Sequence, residues 1–70
     1  MQLAGIPDII GVYRGHFVSF EVKRDEHGKA TKLQVYMMGK IKAAGGVATL
    51  IYTTEQAEAE LHRIDEITEA

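Results

Sequence analysis

Phe17-Val18-Ser19-Phe20-Glu21-Val22-Lys23 decides how the rest of this 70-residue chain is read. The run is rich in β-branched and aromatic residues and alternates in polarity, the signature of a strand. Phe17, Ser19, Glu21 and Lys23 fall on one face, and Val18, Phe20 and Val22 on the other. An acid and a base thus stand side by side on one strand face. Upstream, Gly5-Ile6-Pro7-Asp8 leads into a second strand, Asp8 to Tyr13, with Pro7 at its start where a missing N–H does no harm. Gly11 weakens that strand or marks a bulge.

Arg14-Gly15 between the two runs predicts a two-residue hairpin turn. With that turn Tyr13 faces His16, and the pairs Val12–Phe17, Ile10–Ser19 and Asp8–Glu21 follow at constant index sum; a three-residue loop would break this register. Directly opposed residues project to the same face with Cβ atoms roughly 4.5–5.5 Å apart. Two carboxylates so close repel and raise a pKa. A divalent cation between them removes the conflict.

Arg24 to Ala30 is polar and reads as a loop. Thr31 to about Ala44 has helical spacing at Leu33, Met37, Ile41 and Ala44, with Thr31 and Gln34 forming a capping box and Gly45-Gly46 ending the helix. Val47 to Tyr52 is a nearly continuous apolar run, expected to be a strand buried on both faces. Thr53 to Gln56 offers a second capping box, and Ala57, Leu61, Ile64 and Ile67 form a helical stripe. The predicted order is strand, strand, helix, strand, helix in one α/β domain over residues 1–70, with a right-handed parallel crossover. Met1 to Ile6 reads as a strand stub or an arm.

Composition narrows the function classes. Cysteine is absent, which excludes disulfides and thiolate-bound zinc. No apolar run reaches the roughly 18 residues of a membrane span, and no secretory signal is visible, so a soluble intracellular domain is expected. The net charge of −2 is unevenly placed: residues 1–52 hold seven Lys/Arg and four Asp/Glu, and residues 53–70 hold one and six. A basic body with an acidic last helix permits a phosphate backbone on one side.

Gly5-x-Pro7-Asp8, Glu21-Val22-Lys23 and Gln34 at a helix start together resemble the PD-(D/E)xK nuclease superfamily, and within it the stand-alone viral and bacterial VRR-NUC domains. The likeness covers roughly residues 4–52. It implies a minimal restriction-endonuclease-like core and a metal-dependent DNA endonuclease. Asp8 and Glu21, helped by the Val22 carbonyl, would bind Mg²⁺ or Mn²⁺. Lys23 would orient or activate the attacking water, and Gln34 would support the site or contact phosphate. It further implies branched or junction DNA as substrate, a homodimer, and the cytoplasm of a bacterial or phage-infected cell. Family members carry a helix with an acidic residue ahead of the Pro-Asp pair, whereas no residue before Pro7 here is acidic. A minimal site, completion by another chain, or weak activity would follow. A catalytically weak or silent nucleic-acid-binding module of the same fold is the alternative, and a small protein-interaction domain a third reading.

Blander roles compete with these. Glu21 and Lys23 alone could be a surface ion pair, and capping alone explains Gln34. Lys29, Lys32, Lys40 and Lys42 are as well explained as solvated lysines, and Met37 and Met38 as core or interface filler. His16, His27 and His62 lie on separate elements without ligand spacing and read as exposed structural residues.

Overall fold

A computed structural model describes residues 5–24 and 28–69. Met1–Ala4 and His27 fall outside those residues. Within them, β1 (Ile9–Tyr13) and β2 (His16–Val22) form an antiparallel hairpin, α1 (Lys32–Ala43) crosses over, β3 (Val47–Ile51) pairs parallel with β2, and α2 (Thr54–Glu69) closes the chain. The sheet order is β1-β2-β3, which makes β2 central and leaves β1 and β3 at the edges. No helix of the described residues is long and apolar enough to cross a membrane.

Turn chemistry sets the hairpin register. Arg14 and Gly15 both take positive φ, 49° and 83°, as a type I′ turn requires. The pairs run from Tyr13–His16 to Ile9–Phe20 without interruption, and Gly11 pairs with Val18 rather than opening a bulge. Arg14 is an unusual residue for that conformation. Its guanidinium donates to Asp65 at 3.0 Å and Glu69 at 3.1 Å, and the Tyr13 hydroxyl donates to Asp65 at 2.9 Å. The last turns of α2 therefore clasp the hairpin tip. The two partners lie about fifty residues apart in sequence, and no local pattern announces the clasp.

Caps fix both helices. Thr31 Oγ1 accepts from the Gln34 N–H while Gln34 Oε1 accepts from the Thr31 N–H, a reciprocal capping box. Gly45 N–H reaches the Lys42 carbonyl and Gly46 N–H the Ile41 carbonyl, a Schellman ending with Gly45 at φ 95°. Thr53 and Gln56 repeat the box ahead of α2.

The helices lie on opposite faces of the sheet. α1 reaches the face of Ser19 and Glu21, and α2 the face carrying Tyr13. Val18, Phe20, Ala48, Ile51 and Ile64 make the buried apolar core, and Ser19 is buried with its hydroxyl donating to the Val47 carbonyl at 2.8 Å. The expected stripes hold only in their middles. Leu33 and Ala44 of the α1 stripe and Ile67 of the α2 stripe are exposed, because they lie at helix ends. Val22, on the same strand face as Val18 and Phe20, is 42% exposed at the strand end. β1 has little cover: Ile9, Ile10 and Val12 are all at least half exposed, on both of its faces.

Candidate metal centre

The hairpin register carries on past its last strand pair. One step beyond Ile9–Phe20, Asp8 stands opposite Glu21. Gly5 and Pro7 bring Asp8 there. Gly5 has φ 82°, and a Cβ on it would lie 2.8 Å from the Leu33 carbonyl oxygen. Only glycine lets the chain pass so close to the start of α1 in that conformation. Pro7 is buried behind it.

Asp8 Oδ2 accepts the Val22 N–H at 2.9 Å, standing where the next ladder carbonyl would be. In a strand the N–H and C=O of one residue leave on the same side. The Val22 carbonyl therefore points toward the Asp8 side as well. Asp8 itself is exposed to solvent.

Glu21 is 4% exposed. Its Oε1 accepts from Gln34 Nε2 at 2.7 Å, while Oε2 is buried with no hydrogen-bond partner. The Asp8 carboxyl is close enough to act on it. Burial pushes the Glu21 carboxyl above the usual glutamate range, the hydrogen bond with Asp8 and its charge push it further, and Lys23 partly opposes them.

Gln34 joins the parts. Its Oε1 accepts from the Thr31 N–H at 2.8 Å and from Lys23 Nζ at 3.3 Å, and its amide nitrogen donates to Glu21. Capping and the contact with Glu21 are not exclusive: Oε1 caps the helix while Nε2 reaches the carboxylate. Glu21 and Lys23 make no direct ion pair. Gln34 stands between them, so a simple surface pair does not describe them. Asp8, Glu21, Lys23 and Gln34 are thus brought together, with the Val22 backbone beside them. Lys23 is further held by its N–H to the Ile51 carbonyl at 2.9 Å.

The donor set is all oxygen: two carboxylates, one with a buried unpartnered atom, and an adjacent carbonyl. Hard divalent cations take such ligands, and Mg²⁺ commonly uses one or two carboxylates and completes its shell with water and phosphate. These residues fit such an ion. Among the described residues no group of three or more His, Cys, Asp or Glu side chains converges. The site therefore has two carboxylates and no third acidic ligand within the described chain. His16 and His62 are remote from it; His62 lies 3.5 Å from Glu66 on the exposed side of α2.

No family model, curated protein or solved structure matches the chain.

Proposed function

We propose that this domain binds nucleic acid and a divalent cation at one place, with Asp8 and Glu21 holding the cation, and that alone it cleaves phosphodiesters weakly or not at all. The observation that carries this reading is Glu21, a buried carboxylate with one satisfied oxygen and one open oxygen beside a second carboxyl. A purely structural carboxylate is expected to have both oxygens satisfied. Two carboxylates and a carbonyl among the described residues are enough to bind a cation, and the weak or silent reading asks no more of the site.

A bound cation would lower the pKa of a coordinated water and offset charge on phosphoryl oxygens. The chain's own residues would do the rest. Gln34 fixes the Glu21 carboxylate through Oε1, leaving Oε2 free to ligate. It also places the Lys23 ammonium beside the carboxylate pair, where it can hold a water or a phosphate oxygen. Asp8, anchored through Oδ2 by the Val22 N–H, has its other oxygen left to ligate.

The stronger reading is a competent Mg²⁺- or Mn²⁺-dependent endonuclease, acting on branched DNA as a homodimer. The placement of Lys23 by Gln34 is compatible with it, since an ammonium beside the carboxylates could orient an attacking water. The exposed apolar residues of β1 favour a second copy covering the hairpin. Supercoiled and four-way-junction DNA incubated with Mg²⁺ or Mn²⁺, beside Asp8→Ala and Lys23→Ala, separates the readings. Salt-dependent binding with nicking too slow to rise above both variants supports the weak module. Nicking by the parent chain that both variants lose supports the endonuclease. Absence of salt-dependent DNA binding overturns both.

A further inference from the structure

The hairpin carries an open surface on the same face as the metal centre. Ile10 and Val12 stand opposite Ser19 and Phe17, as Asp8 does opposite Glu21, so all project to one side of the sheet. α1 lies on that side, since Gln34 reaches Glu21 there. It packs over β3 rather than over the hairpin. The apolar residues of the hairpin on this side therefore stay uncovered: Ile10 is 58% exposed, Val12 74% and Phe17 41%.

α1 runs back along β2, from Gln34 beside Glu21 to the turn that meets Phe17. Phe17, Lys40, Ile41, Ala44 and Gly46 line a hollow of about 300 Å³ there, at the small end of ligand-sized pockets. Lys40 thus lies on the hairpin side of α1. Tyr36, one turn earlier, shares that side. Its ring is 61% exposed, and the Lys40 ammonium stands 5.4 Å from the ring centre. From Asp8 to Val12 the trough runs roughly 13 Å at the strand rise of about 3.3 Å per residue. Its floor is apolar and its wall aromatic, with Lys23 at the metal end and Lys40 at the other.

The lining selects the occupant. α1 carries Lys32, Lys40 and Lys42 and no acidic residue, so the trough suits a molecule with apolar faces and a negative backbone. A duplex keeps its bases stacked inside and would lay only sugar and phosphate on Ile10, Val12 and Phe17. Unpaired bases bring their faces to aromatic and aliphatic groups while their phosphates meet lysines. The floor side chains have no hydrogen-bonding group for the 2′-hydroxyl that marks RNA.

We propose that this trough binds single-stranded DNA, with bases laid on Val12, Phe17 and Tyr36 and phosphates running from Lys40 toward Lys23 and the metal centre. The proposal rests on the nucleic-acid part of the function given above and not on cation binding.

The probe is fluorescein-labelled oligo(dT), about twelve nucleotides long, titrated onto the full chain in anisotropy over a series of NaCl concentrations. EDTA keeps cation binding out of the readout. Saturable binding is expected, tighter than that of an oligo(dA)·oligo(dT) duplex or of oligo(rU). Tyr36→Ala should weaken it about tenfold without altering its salt dependence, and Tyr36→Phe should restore it. Lys40→Gln should lower the slope of log K against log salt by about 0.7. Both side chains are exposed, so neither change touches the core. Duplex bound more tightly than oligo(dT) would overturn this proposal and leave the function above standing; no binding of either would overturn both. Tyr36→Ala binding as the parent does, or oligo(rU) binding as tightly as oligo(dT), would also overturn it. So would concentration-dependent NMR shifts of the Ile10 and Val12 amides without DNA, which would mean that a second copy fills the trough.

Discussion

Replacing Glu21 by Gln separates a structural carboxylate from one kept open for a cation. Without a cation, Glu21 holds a buried oxygen unsatisfied against the Asp8 carboxyl. Leaving a buried acceptor unpaired costs about 1–3 kcal/mol. Gln has the same shape, keeps an oxygen for the Gln34 amide, and can turn its own NH₂ toward Asp8. At neutral pH the Glu21→Gln chain should therefore be more stable than the parent by about 1–2 kcal/mol. Cation binding should reverse the order. An ion at ten times its Kd stabilises the folded state by about 1.4 kcal/mol, which for a domain of this size is roughly 6–11 °C in Tm. The variant, with one carboxylate left, should show little of that gain. Thermal melts across a Mn²⁺ titration, with Ca²⁺ and Na⁺ as controls, give both quantities. An equal Mn²⁺ shift in the two chains, or a variant that melts below the cation-free parent, would refute the reasoning.

Four further outcomes follow from the same geometry. Glu21 has a folded pKa above its unfolded value of about 4.3, so the stability it lends is whole below that value and is lost as pH rises through the folded pKa; urea midpoints without cation should decline across that window in the parent and stay flat in Glu21→Gln. Asp65, lowered by the Arg14 and then the Tyr13 hydrogen bonds, behaves oppositely: its stability is present above about 3.9 and fades as pH falls through the folded value, a loss that Asp65→Asn should remove. Gln34→Ala should lose about 1–2 kcal/mol with the cap, whereas Gln34→Glu keeps the cap, repels Glu21 and should gain more from Mn²⁺ than the parent in the same melts. Gly5→Ala adds a Cβ 2.8 Å from the Leu33 oxygen at positive φ and should cost roughly 2–4 kcal/mol by denaturant titration.

Much of the fold was legible because local rules and global packing agree. Arg14-Gly15 specified a two-residue turn, and that alone set every pair of the hairpin and the placing of Asp8 against Glu21. Thr31, Gln34, Gly45 and Gly46 marked both ends of α1, and each cap formed as its spacing implies. Periodicity overreached at Leu33, Ala44 and Ile67, since a stripe states which residues share a face and not how far the sheet beneath extends. The clasp of Arg14 and Tyr13 on Asp65 was invisible, because contacts between distant surface side chains leave no local pattern. At the site, the residue types and their spacing indicated which groups meet. The role of Gln34 as the link between Lys23 and Glu21 needed the helix placed over the strand, and a capping box gives no hint that its amide nitrogen is occupied elsewhere.

The central claim is that Asp8 and Glu21 share a divalent cation. Anomalous scattering from crystals soaked in Mn²⁺ tests it most directly. The account predicts one peak about 2.0–2.5 Å from Glu21 Oε2, within reach of an Asp8 oxygen and lost in Glu21→Gln. A peak only elsewhere, or none at Mn²⁺ concentrations that shift the melting temperature, would contradict it.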